Sequence, residues 1–130
     1  MLGNPNPGFK KALFSYEGAL VNTSDAWTDL KMAPADAQAE FCTVPYSYMF
    51  EYGYGNADFE FRTVQGFYDS NGDWFTLQEN DSVVVTADTV HSDASPAKKV
   101  ECGTVFAKTQ IKTSGAVSAA KIVIFGRAVS

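Results

Sequence analysis

Histidine occurs once in this chain, at position 91, and cysteine only twice, at positions 42 and 102. A zinc or iron centre draws its ligands from clustered His, Cys and carboxylate groups, so such a site lacks its donors here. No glycine-rich phosphate loop joins a strand to a helix, and no Gly-x-Ser-x-Gly nucleophile elbow occurs. No cofactor is therefore expected, and the inventory of catalytic groups is that of a non-enzymatic protein. Basic residues are also scarce. Ten Lys and Arg stand against fifteen Asp and Glu, for a net charge of -5, which argues against a module that neutralises nucleic-acid phosphates. No stretch approaches the roughly 20 apolar residues of a bilayer-spanning helix, so no membrane partner is expected. Met1 to Gly8 has no basic segment followed by an apolar run, so no secretory signal is visible and synthesis in a cytoplasm is expected. A reducing compartment makes Cys42 and Cys102 two buried free thiols, with a bridge open only if their strands are neighbours.

What is abundant is aromatic and β-prone sequence. Hydrophobic residues make up 45% of the 130 and aromatic ones 14%, enough apolar surface for one packed domain. Residues 1–8 hold two prolines and two glycines and read as an extended arm, followed by a single domain over 9–130. Short β-prone segments separated by turn residues then run to the C-terminus, about eight to ten of them, which predicts an all-β fold: an antiparallel β-sandwich or jelly roll. Lys10–Tyr16 and Ala19–Asn22 read as strands. Thr23–Lys31 is open between strand and a short capped helix, and Ala33–Ala39 has room for one helical turn.

Phe59 and Phe61 alternate with Glu60 and Arg62, placing the rings inward, and the pattern breaks near Thr63 and Val64 as at a bulge. Asp69, Asn71 and Asp73 imitate the first oxygen ligands of a calcium loop, but the glycine comes at the fourth position and Trp74 fills the sixth. The segment is expected to be a plain hairpin turn. His91 falls in a polar stretch read as a surface loop. Val105, Ala107, Thr109 and Ile111 alternate with Phe106, Lys108, Gln110 and Lys112, a strand with one wet face, whereas Ile122 to Phe125 read as covered on both sides.

Charge is segregated along the chain. Residues 63–97 carry six carboxylates and no Lys or Arg, while 98–130 carry six basic residues against Glu101 alone. Strands pairing opposite signs on the surface explain this, as does an acidic face meeting a basic one between subunits. Glu51 and Glu60 offer the two carboxylates of a glycoside-cleaving pair, but alternating glutamates are expected on a solvated strand face. Tyr46, Tyr48, Phe50, Tyr52 and Tyr54 share one phase of a period-2 pattern. That stripe serves as core, as a subunit contact, or with Trp27 and Trp74 as a platform for stacking sugars. Gly53 and Gly55 interrupt it and favour a bent strand or close backbone contact.

Three segments carry a family resemblance. Gly66-Phe67-Tyr68-Asp69-Ser70-Asn71-Gly72-Asp73-Trp74-Phe75-Thr76-Leu77 resembles a hairpin of small β-sandwich structural proteins of tailed bacteriophages. Val105 to Gly115 and Ala120 to Arg127 resemble the closing strand pair of the same proteins, so the likeness spans about residues 59–127. It implies a virion component without enzymatic activity, most often a capsid decoration or cement protein. Its partners would be the major capsid protein or another virion protein and copies of itself, with a trimer favoured. It would be made in the host cytoplasm and located in the virion. The contacts expected for such a role are Asn4, Pro5 and Pro7 in the arm, Phe9 where the domain begins, and Tyr46, Tyr48, Tyr52 and Tyr54 in the stripe. The competing expectation is a carbohydrate-binding or host-adhesion module stacking glycans on Trp27 and Trp74.

Overall fold

The computed structural model describes residues 12–32, 37–38, 40–44, 46–92 and 100–127. The 1–8 arm, with Asn4, Pro5 and Pro7, lies outside the described residues, as does Phe9. Thirteen strands are assigned in chain order: β1 (Ala12–Leu20), β2 (Thr28–Asp29), β3 (Lys31–Met32), β4 (Ala37–Gln38), β5 (Glu40–Cys42), β6 (Tyr48–Gly55), β7 (Phe59–Tyr68), β8 (Trp74–Glu79), β9 (Val83–Val85), β10 (His91–Ser92), β11 (Val100–Glu101), β12 (Phe106–Lys112) and β13 (Val117–Arg127). All pairings are antiparallel. One sheet runs β1-β13-β6-β10 with β11 also on β6. The other runs β2-β12-β7-β8 with β5 on β12 and β9 on β7, and β3 and β4 form a separate pair. The chain is an antiparallel β-sandwich.

Alternation decides which side chains meet between the sheets. Phe59 and Phe61 of β7 and Ile111 and Ala107 of β12 face Met49 of β6 and Ile122 and Ile124 of β13, all buried. Each fully buried large side chain contributes about 1.5–3 kcal/mol relative to exposure. On β6 the inward positions after Met49 are Glu51, Gly53 and Gly55. A methyl group at Gly53 would stand 2.5 Å from the Phe61 ring and 2.7 Å from Val85, and one at Gly55 2.6 Å from the Phe59 ring. The glycines thus let facing rings press on bare backbone, while Phe50, Tyr52 and Tyr54 point away from the core.

Glu51 is not on a solvated face: it is fully buried, and its Oε2 accepts from the Thr63 hydroxyl at 2.6 Å. Thr63 Oγ1 in turn accepts from Asn80 Nδ2 at 2.6 Å, and Asn80 Oδ1 accepts from Gln65 Nε2 at 3.2 Å, so a polar chain runs inside the sandwich. The break near Thr63 and Val64 lies one step further on, where Leu77 of β8 is the extra residue opposite Gln65 and Gly66. β1 is one strand where two were expected, because Gly18 continues the ladder opposite Ala120. His91 is paired with Gly53 rather than looped out. Both cysteines are free, but Cys42 is exposed and Cys102 half-buried.

Candidate functional site

The outer face of the six-stranded sheet gathers two tryptophans from opposite edges. Trp27 precedes β2, and the turn that delivers it is held by chain 90 residues away. Thr23 N–H donates to Thr113 Oγ1 and Thr113 N–H to Thr23 Oγ1, both at 2.8 Å, while Asp25 N–H donates to the Thr113 carbonyl at 2.8 Å. Ser24 and Asp25 sit at φ 54° and 60°, a left-handed pair that reverses the chain. Trp27 then reaches over β12 towards β7. Lys112 Nζ lies 5.0 Å and the Arg62 guanidinium carbon 4.3 Å from its ring centroid.

Trp74 opens β8 and reaches the other way. Its ring passes over Gly66, the one position in outer-facing β7 without a side chain, towards Lys108, whose Nζ lies 4.8 Å from the centroid. Tyr68 meets it edge-on at 5.3 Å, and the Tyr68 hydroxyl donates to Glu40. Between the two rings runs a polar ladder. Arg62 Nε donates to Gln110 Oε1 at 2.9 Å, Gln110 Nε2 to Asp29 Oδ1 at 3.0 Å, and Lys108 Nζ to Asp29 Oδ2 at 2.8 Å. Burial works against ionisation of Asp29, but the Lys108 and Gln110 hydrogen bonds outweigh it and hold the carboxyl below its ordinary range. Each cation has an acidic partner: Lys108 has Asp29, Arg62 has Glu79 at 3.2 Å and Lys112 has Glu60 at 3.8 Å. These pairs cross strands, but Lys108 and Lys112 of the basic stretch meet Asp29 and Glu60, and Glu79 of the acidic stretch meets Arg62, so none of the three joins one segregated stretch to the other.

A cleft of about 150 Å³ opens at the Trp27 end of this face, lined by Asp25, Asp58, Glu60, Val84, Lys112 and Ser114 among others. Lys112 belongs to both cleft and platform. At the opposite end, Phe67 and Phe75 stack at 5.4 Å and stay exposed with Leu77. They hold the core-facing phase of β7 and β8, beyond the reach of the buried cluster.

The tyrosine stripe lies on the other side of the sandwich. Tyr48 and Tyr52 are half-buried and Tyr54 is exposed. Tyr52 meets Phe125 edge-on at 5.6 Å, and the Tyr54 hydroxyl donates to Asp88 at 3.2 Å, which raises its pKa. Tyr46 lies against Gly126, where a methyl would stand 2.5 Å from the ring. The fold thus brings Trp27 and Trp74 together and places the stripe away from them. The three cations lie outside the sequence expectations; the alternation of Lys108, Gln110 and Lys112 on β12 and of Glu60 and Arg62 on β7 places them on this face, but the face is not uniformly wet, since Lys108 is buried. Asp69 Oδ1 accepts the amides of Asn71 and Asp73 at 2.8 and 3.0 Å, the hydrogen bonding of a closed hairpin turn.

No family model and no curated protein matches the chain. A solved structure titled "Crystal structure of PirA" is similar with a TM-score of 0.44 and 13% identity, over 86% of this chain and 93% of that one.

Proposed function

We propose that this chain is a non-enzymatic structural protein of a virion, of the capsid-decorating kind that its likeness to small phage sandwiches implies, and that it adheres through strand β8. The observation that supports this is the state of that edge. Among the described residues β8 pairs with β7 alone, and its Phe75 and Leu77 are 52% and 57% exposed. Edge strands that avoid partners carry Lys, Pro or inward charges. Over Trp74–Glu79 the only charge is Glu79.

The occupant we assign is the β8 of a second copy. Antiparallel pairing lays the exposed Phe75 and Leu77 of one chain along those of the other, so each copy covers apolar surface that its partner leaves open. Such a contact is self-complementary and closes with two-fold symmetry, giving a dimer in place of the trimer that the phage likeness implies. Sedimentation equilibrium over a wide concentration range tests it. The wild-type chain is expected to dimerise and to cosediment with particles lacking it, and Leu77→Lys to remain a folded monomer. A wild-type chain that stays monomeric and stays in the supernatant overturns the proposal.

A second reading, glycan recognition, draws on a separate observation: Trp27 and Trp74 share one outer face with a ladder of hydrogen-bonding groups between them. Sugars offer an apolar C–H face to a ring and hydroxyls to such groups.

A further inference from the structure

We infer that the outer face of the six-stranded sheet takes a neutral oligosaccharide, laid from Trp74 to Trp27 with its terminal unit in the cleft beside Lys112. This rests on the glycan-recognition reading and names its ligand. Size comes first. The cations beneath the two rings, Lys108 and Lys112, are four residues apart on one strand, about 13 Å at the strand rise. That span suits several linked sugars, and neither ring alone offers more than one stacking position. Arg62, Gln110 and Asp29 fill the interval with donors and acceptors held by each other and by buried Lys108, so little ordering is left to the ligand.

Charge comes second. An acidic glycan needs cations whose charge is not already balanced, and Arg62, Lys108 and Lys112 are each within 4 Å of a carboxylate. The cleft adds Asp25 and Asp58 to Glu60 against Lys112, a balance that repels sulfate or uronate groups. A neutral sugar meets no such penalty, because its hydroxyls donate to carboxylates and accept from ammonium groups alike. Position comes third. Asp25 is fixed at the cleft by its left-handed backbone and its amide bond to Thr113, in the same turn that delivers Trp27, so platform and cleft are one rigid unit.

The test is calorimetric titration of the full chain with neutral gluco-, galacto- and manno-oligosaccharides of one to six units and with sulfated heparin fragments of matching lengths. Neutral chains are expected to bind, with affinity rising with length and single sugars silent. Trp27→Ala and Trp74→Ala are each expected to weaken binding about tenfold. Ser114→Trp, which fills the exposed turn at the cleft, is expected to weaken binding with both rings intact. Thermal melts confirm that each variant is folded. Sulfated fragments binding as well as neutral ones, or single sugars binding as well as hexamers, overturn the inference while leaving glycan recognition standing. If no saccharide of either kind binds, glycan recognition itself falls.

Discussion

The indole of Trp74 occupies the space above Gly66, where a methyl group would stand 2.9 Å from the ring and would also strike the Phe75 carbonyl. Backbone carbonyls cannot rotate away as side chains do, so Gly66→Ala forces β7 and β8 apart. Overpacking of this kind costs about 1–3 kcal/mol. Urea denaturation should show a loss in that range, and the fluorescence of Trp74 should shift to the red as its ring leaves the sheet.

Thr63 joins two buried groups, donating to Glu51 and accepting from Asn80. Thr63→Val keeps the shape and removes both bonds. Leaving buried polar groups without this partner costs about 1–3 kcal/mol for neutral groups and more for a carboxylate. The control is Thr28→Val on the exposed side, whose hydroxyl donates to the nearby Ala26 carbonyl and which should change stability by less than about 0.5 kcal/mol.

The hydrogen bond from Tyr68 to Glu40, with smaller effects of burial and charge, pushes the phenol up to about 12. The folded state therefore favours the neutral form over the ordinary value of 10.0. Any stabilisation from this bond is complete below pH 10 and is lost as pH rises towards 12. Ultraviolet titration should show one late-ionising tyrosine that returns towards the ordinary range in Glu40→Gln. An unchanged titration in that variant would show that Glu40 is not the cause.

Burial pushes the Cys102 thiol up to about 11 from an ordinary value of 9.0, whereas Cys42 is exposed. The thiolate is the reactive form, so at neutral pH Cys102 should alkylate roughly 100-fold more slowly than an ordinary thiol. Iodoacetamide labelling followed by peptide mass analysis should find Cys42 modified first and Cys102 much later, with denaturation bringing the two rates together. Equal labelling rates would contradict the burial.

The elements that sequence predicts well are those whose partners are close along the chain. The Asp69–Asp73 turn and the inward phase of Phe59 and Phe61 follow from local turn chemistry and alternation, and both are found in the fold. The stripe from Tyr46 to Tyr54 shows where this stops. Its period is plain, yet the side that faces the core is set by Phe59, Phe61 and Val85 pressing on Gly53 and Gly55, which period-2 counting within one strand does not register. Glu51 is buried for a similar reason, since its partner Thr63 belongs to the opposite sheet. The sequence singles out both tryptophans as candidate stacking rings. Their union on one face depends on strand order, with β2 and β8 at opposite edges of the same sheet.

The clasp between Thr23 and Thr113 also bears on the order in which the chain is expected to assemble. Ninety residues separate its halves, and contacts so distant along the chain form only once the intervening polypeptide has been gathered in. Trp27 is therefore expected to reach its cations later than Trp74 finds its place, because the hairpin that seats Trp74 pairs it with nearby Tyr68. Refolding followed separately in single-tryptophan variants should show two rates, the fast one at position 74 and the slow one at 27, so that one indole times the beginning of assembly of the native chain and the other its completion.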